Sequence, residues 1–387
     1  MKGNKGRPGG GHSGQYIAIV IILGGLLYVY ADSVGGRRMM LETPGATIEG
    51  RPGLESLGVS MTTRAGDLEI AEFCQQAHSK RLAEKFVNLT VEVPFWTACS
   101  ANEWMDKFNA ISPAGPKTFV DIGCNKGYTT AKLLGLWAPE VGFRPQTLQQ
   151  KRPEILCGTC KDCEEQVTPA RQQSEGPIQV FCMEPSLHNF AQLVLTREAF
   201  FGGAPSNVQM YVVNAAMSND TGLVKFPRDC VDELCSLDDK KSQAHDFVHM
   251  MTVDFFMKKY EVPYIDILKI DTEGFDATVV MGTMEAIAKG RVGLVSFEYH
   301  EVGVWREYKL QEIVEMLDGM NYVCYMDGKP TLSRMTGCWN SAYEKYAWSN
   351  VVCVPRAHPL YPELEKMSTR YDQFRTEYYA GSTASSA

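Results

Sequence analysis

The chain has 387 residues, 44% of them apolar and 22% charged, enough apolar material for one large α/β domain with additions or for two modest domains. Its formal net charge of −8 argues against a nucleic-acid backbone as main partner, because that binding needs clustered Lys and Arg. No internal repeat of solenoid length is present.

The first stretch, MKGNKGRPGGGHSGQ, carries Lys2, Lys5 and Arg7, many glycines and no acid, a composition that predicts a disordered, cytosolic tail over 1–15. Residues 16–31, YIAIVIILGGLLYVYA, carry no charge. A membrane-spanning helix usually needs about 20 apolar residues and at least roughly 17. The segment reads as an uncleaved signal anchor, with a signal peptide cleaved after Ala31 as the alternative. Tyr16, Tyr28 and Tyr30 suit a membrane interface. Either reading sends the rest of the chain into the secretory lumen, in a Golgi or ER membrane or secreted, although Arg37 and Arg38 weaken that orientation. The twelve cysteines agree with an oxidising compartment. Residues 32–65 read as a linker, and 66–116 as a helical extension with Leu68, Ile70, Phe73, Leu82 and Phe86 at helical spacing.

From Lys117 onward strands and helices alternate. TFVDIG, IQVFCME, VQMYVVNAAM, YIDILKID, GLVSFEYH, YVCYMD and NVVCVP read as strands; YTTAKLLGLW, SLHNFAQLVLTREAF, DATVVMGTMEAIAKG and LQEIVEMLDGM read as helices. This alternation predicts a doubly wound α/β domain over 117–355, with a parallel sheet covered on both faces and a ligand site at the carboxyl ends of its strands. A polar, Cys-rich insertion over 138–177 is expected to loop out from the sheet. Residues 356–387 read as a helix and a disordered tail.

Four stretches carry chemistry. In FVDIGCNKGYTT, Tyr128 stands where a phosphate loop needs glycine, and Asn125 stands where a dinucleotide loop does. What remains is Asp121 followed by Gly123 and Gly127, a turn that lets backbone approach a ligand; the carboxylate suits an amino group better than a pyrophosphate. Glu184, ending CMEPS, is placed to bind ribose hydroxyls, or simply to favour the start of the next helix. Lys269, Asp271 and Glu273 end an Ile- and Leu-rich strand, where they are either a structural ion pair or a reacting group. Glu298 and His300 end the next strand, and a histidine there suits a general base.

Together these motifs resemble the FkbM-type S-adenosylmethionine-dependent methyltransferases. The resemblance rests on Asp121, Gly123, Asn125 and Gly127; on Glu184, Pro185, Phe190 and Leu193; on Asn214, Ala216, Gly222 and Phe226; on Thr252 to Asp254; on Lys269, Asp271, Glu273, Gly274 and Gly282; and on the strand ending in Glu298 and His300. It covers 117–355 and implies a Rossmann-like methyltransferase sheet, with S-adenosyl-L-methionine as cofactor held by Asp121, Gly123, Asn125, Gly127, Glu184, Asn214 and Ala215. It implies O-methylation of a glycan or small-metabolite hydroxyl. Asp271 or His300 is then the base, and Lys269 and Glu273 position groups. The site is read as metal-free, although Asp271, Glu273 and Glu298 offer ligands for Mg²⁺. The rival readings are a nicotinamide-dependent oxidoreductase and an inactive binding protein that keeps the fold. On this reading Asp121→Ala abolishes cofactor binding and leaves the fold intact. Cys157, Cys160 and Cys163 read as disulfide partners, with zinc or free thiols as alternatives.

Overall fold

The computed structural model describes residues 18–23, 26–31, 103–111, 117–155, 176–202, 207–230, 235–237, 242, 244–328, 332–344 and 348–368. The tail over 1–15, the linker, the helical pattern over 66–90, the Cys157–Cys160–Cys163 cluster and the tail beyond 368 lie outside them. The chain divides into two compact units, Met1–Gly50 and Arg51–Ala387.

In the first unit, β1 (Ala18–Leu23) pairs antiparallel with β2 (Leu26–Ala31), with Leu23 opposite Leu26. Over 18–23 and 26–31, antiparallel strands therefore stand where a spanning helix was expected. The physical reason is composition: the run is rich in Ile, Val and Tyr, which favour strands. Among the described residues no helix is long and apolar enough to cross a membrane.

The second unit begins, among its described residues, with α1 (Glu103–Ile111). There follow β3 (Lys117–Ile122), α2 (Tyr128–Trp137), α3 (Pro145–Lys151), β4 (Ile178–Met183), α4 (Leu187–Phe201) and β5 (Val208–Val213). Three short strands come next: β6 (Ala215–Met217), β7 (Gly222–Pro227) and β8 (His245–Met251). Then come α5 (Val253–Lys259), β9 (Ile267–Ile270), α6 (Asp276–Met281), α7 (Met284–Ala288), β10 (Val295–Tyr299), α8 (Leu310–Gly319), β11 (Tyr322–Asp327), β12 (Leu332–Arg334), β13 (Ser349–Pro355) and α9 (Tyr361–Ser368).

The large sheet has eight strands in the order β12-β11-β13-β10-β9-β3-β4-β5. Strands β5, β4, β3, β9 and β10 run parallel, and β13 is antiparallel to both β10 and β11. The chain builds outward from β3 to β5, then returns to lay β9 on the other side of β3. That reversal makes the β3–β9 boundary a topological switch point, where ligands bind such sheets. The central strands are buried on both faces, with Val120, Val180, Leu268 and Val295 fully covered, as crossover helices on both sides require.

Two continuous elements in the sequence reading are broken. VQMYVVNAAM divides at Asn214 into β5 of the large sheet and β6 of a three-stranded sheet ordered β6-β8-β7. Asn214 leaves the strand pattern because its side-chain amide donates to the carbonyls of Glu184 and Pro185, at 2.9 and 3.0 Å. The helix DATVVMGTMEAIAKG divides at Gly282 into α6 and α7. A Cβ on Gly282 would lie 2.1 Å from the Ser218 carbonyl oxygen. The Asp254 carboxylate takes the N–H groups of Glu285 and Ala286 that a continuous helix would use internally.

The described part of the insertion does not loop out. Phe143 and Leu148 are fully buried, and Arg152 reaches α4 through the Gln192 and Thr196 side chains. Its apolar residues pack, whereas the expectation rested on its polar average. Disulfides join Cys124 to Cys182, Cys230 to Cys235 and Cys324 to Cys353.

Candidate active site

The strand register gathers the predicted residues at the carboxyl ends of β3, β4, β9 and β10. Asp121 on β3 lies opposite Cys182 on β4 and Lys269 on β9, and Lys269 lies opposite Ser296 on β10. One face of the switch point therefore carries Asp121 and the glycine turn, and the other carries Lys269, Asp271, Glu273, Glu298 and His300.

The turn after β3 is held by backbone geometry. Gly123, Asn125 and Gly127 have φ of 74°, 50° and 85°, the left-handed region that glycine enters freely and asparagine tolerates. A Cβ on Gly123 would stand 1.6 Å from the Asp271 carbonyl oxygen, so only glycine lets the turn close on the end of β9. The Cys124–Cys182 bridge ties the same turn to β4.

Asp121 lies beneath this turn, fully buried. Its Oδ2 accepts from the Thr130 hydroxyl at 2.6 Å, and its Oδ1 faces the Lys269 ammonium at 3.6 Å with no hydrogen bond. Burial raises its carboxyl above the usual range, and Lys269 and Thr130 pull it back.

Glu184 joins the turn after β3 to the segment after β4. Its Oε2 accepts the Asn125 N–H at 2.8 Å and its Oε1 accepts the Ser186 N–H at 2.9 Å. Each oxygen keeps a second lone pair for a ligand hydroxyl. Asn214 braces the same corner from β5. Ala215, buried at the start of β6, pairs with His249.

Burial raises the Glu184 carboxyl to about 7, partly offset by its two backbone donors. A carboxyl whose folded pKa exceeds its unfolded value binds more protons in the folded state. Its contribution is fully present below pH 4.5 and is lost as pH rises toward 7, a change of about 3 kcal/mol. Glu184→Gln is therefore expected to flatten the fall in thermal stability between those limits. Melting curves across that range check it, and an unchanged slope would show that Glu184 does not carry the effect.

At the end of β9, Lys269 donates to Asp271 Oδ2 at 2.7 Å. Burial alone would lower its ammonium, but Asp271 and Asp121 outweigh it and hold the pKa above the ordinary lysine value. Lys269 is thus a fixed cation and no base. Glu273 has φ 52°, and its carbonyl accepts from the hydroxyl of Ser236, next to Cys235. Glu298 accepts from the Trp348 indole at 3.1 Å.

His300 is fully buried and stacks on Trp348, with ring centroids 4.4 Å apart. Its Nδ1 accepts the Val302 N–H at 3.2 Å. That bond assigns the proton of the neutral ring to Nε2. Burial lowers the ring's pKa to about 4. His300 is therefore an oriented N–H donor near neutral pH, with no lone pair left for the base role that sequence position suggested.

Three residues outside the sequence-derived set hold the site together. Asp276 accepts from Thr272, Gly274 and the Glu298 N–H, and so joins the turn after β9 to β10. Thr130 engages Asp121, and Trp348 fixes both Glu298 and His300. Asp276 carried one visible signal, an acid in the first turn of a helix; Trp348 carried none. An apolar hollow lined by Leu223, Met250, Met251 and Phe255 lies on the small sheet and holds none of the predicted site residues.

The profile of the methyltransferase FkbM domain matches residues 121–324, just over half of the chain. No curated protein matches the chain. Among solved structures, a methyltransferase FkbM from Methylobacillus flagellatus KT is 12% identical, covering 76% of this chain and 58% of that one at a TM-score of 0.38. A COG1565 superfamily member from Burkholderia thailandensis, bound to S-adenosyl-homocysteine, is 11% identical, covering 76% and 77% at a TM-score of 0.19.

Proposed function

The chain belongs to the FkbM methyltransferase family, and from that premise we propose that it is an S-adenosylmethionine-dependent O-methyltransferase. The observation that carries this reading is the meeting, at one switch point, of a glycine turn braced by Glu184 with a second wall of Asp271, Glu273 and Glu298 around Lys269. This donor set fits a cationic cofactor with ribose hydroxyls, and fits a pyrophosphate poorly. When bound, the sulfonium supplies a methyl carbon to an oxygen nucleophile by in-line displacement and leaves as S-adenosylhomocysteine.

The chain's own residues do the rest. The Gly123–Gly127 turn brings backbone toward the amino-acid end, with Asn125 held there by Glu184. Glu184 offers its remaining lone pairs to the ribose, and Asn214 and Ala215 form the neighbouring corner. Asp271, part-exposed and oriented by Lys269, takes the acceptor hydroxyl's proton. His300 Nε2–H donates to the acceptor oxygen, and alignment of that oxygen supplies much of the rate.

The proposed acceptor is a hydroxyl of a glycan or small metabolite in the secretory pathway. Three disulfides among the described residues support an oxidising compartment. Calorimetry with S-adenosylhomocysteine is the direct test: saturable binding of one ligand per chain is expected, and no binding at millimolar ligand would favour the inactive binding protein. Transfer of labelled methyl to cell glycans tests the acceptor; label confined to lipophilic products would sink the glycan reading.

A further inference from the structure

We propose that Asp271, Glu273 and Glu298 bind a divalent cation of the Mg²⁺, Mn²⁺ or Ca²⁺ type, which holds the acceptor oxygen beneath the Nε2–H of His300. The acceptor part rests on the methyl-transfer reading; the cation part does not. Asp271 follows β9, Glu273 sits in the next turn, and Glu298 comes from β10. One oxygen from each lies within 4.8 Å of the others. Oxygens around Ca²⁺ stand about 2.3–2.6 Å from the ion, and around Mg²⁺ about 2.0–2.1 Å, so a trio of this spread fits one coordination sphere. All the donors are carboxylates, a set that favours hard cations over zinc or copper. Asp121, Cys124 and Cys182 also lie together, but the two sulfurs are joined in a disulfide and offer no thiolate.

Close carboxylates repel one another, and a divalent cation between them turns that repulsion into coordination. Lys269 holds Asp271 through Oδ2 and also faces Asp121.

An independent observation points to a ligand. His300 is fully buried, its Nδ1 is engaged by Val302, and its Nε2 has no hydrogen-bond partner. Nε2 faces Glu298 Oε2 at 3.9 Å, too far for a hydrogen bond. A buried donor is seldom left without an acceptor. An oxygen bound to the cation, from water or from the acceptor hydroxyl, supplies one. Trp348 fixes the arrangement by stacking on His300 while donating to Glu298.

The test uses the full chain and Mn²⁺ alone, read by electron paramagnetic resonance, with S-adenosylhomocysteine binding measured in parallel. One Mn²⁺ per chain is expected. Glu273→Gln and Glu298→Gln should each weaken Mn²⁺ binding by about tenfold or more, while Glu301→Gln, a neighbouring exposed acid, leaves it unchanged. Absence of Mn²⁺ binding at millimolar ion, or binding unchanged in both variants, would overturn the cation site. If S-adenosylhomocysteine binds and Mn²⁺ does not, the cation inference alone fails. If Mn²⁺ binds as described and S-adenosylhomocysteine does not, the site stands and the methyl-transfer reading fails.

Discussion

Asp271→Asn is expected to slow methyl transfer by about 10²–10⁴-fold, the usual worth of a positioned base, while S-adenosylhomocysteine still binds. The reason is the division of labour at the ends of β9 and β10. Lys269 is held protonated by Asp271 and Asp121, and His300 presents an N–H near neutral pH. Glu298 is the more enclosed of the two, with 16% of its side chain exposed against 27% for Asp271. Asp271 is the carboxylate left with both exposure and orientation. Asparagine keeps its shape and can still accept from Lys269, so binding and fold should change little. Single-turnover rates and calorimetry on the same variant separate the two effects. A rate within a few-fold of the parent would remove Asp271 from the base role. The pH–rate profile adds a second check: a limb moved by His300→Gln between pH 6 and 8 would contradict a ring with a pKa of about 4.

Much of this site was legible because its chemistry sits at strand ends. Asp121, Glu184, Asp271 and Glu298 each interrupt or end an apolar run, and once the strands are parallel and adjacent, such residues meet. The site's internal wiring was not legible. Asp121 and Lys269 are 148 residues apart in sequence, and only the strand register puts them opposite each other. The protonation of His300 depends on a Val302 N–H two residues away, which motif spacing does not encode. Trp348 reaches Glu298 from the segment before β13, with no periodic signal. The paired strands over 18–23 and 26–31 show two signals in conflict: hydropathy favours a spanning helix, while the β-branched and aromatic content favours strands.

Asp121→Ala is expected to cost about 3–5 kcal/mol of folding stability, the range for removing one partner of a buried ion pair. Any loss of cofactor binding should follow from that. Sequence position alone suggested that this change would strip the cofactor and spare the fold, but the burial of Asp121 alters the expectation. Its carboxylate is fully covered, it accepts the Thr130 hydroxyl, and it shares Lys269 with Asp271. Removing it leaves the Thr130 hydroxyl without that acceptor and a nearly buried ammonium with one carboxylate instead of two. Asp121→Asn keeps the acceptor for Thr130 and should recover part of the loss. Asp121→Ala combined with Lys269→Met removes the buried charge as well, and should be less damaging than the sum of the single changes, since replacing a whole buried pair is often close to neutral. Denaturant unfolding of the four proteins measures that coupling. Strict additivity would mean that Asp121 and Lys269 do not act as a pair. A stable Asp121→Ala protein that fails to bind S-adenosylhomocysteine would return Asp121 to direct contact with the cofactor.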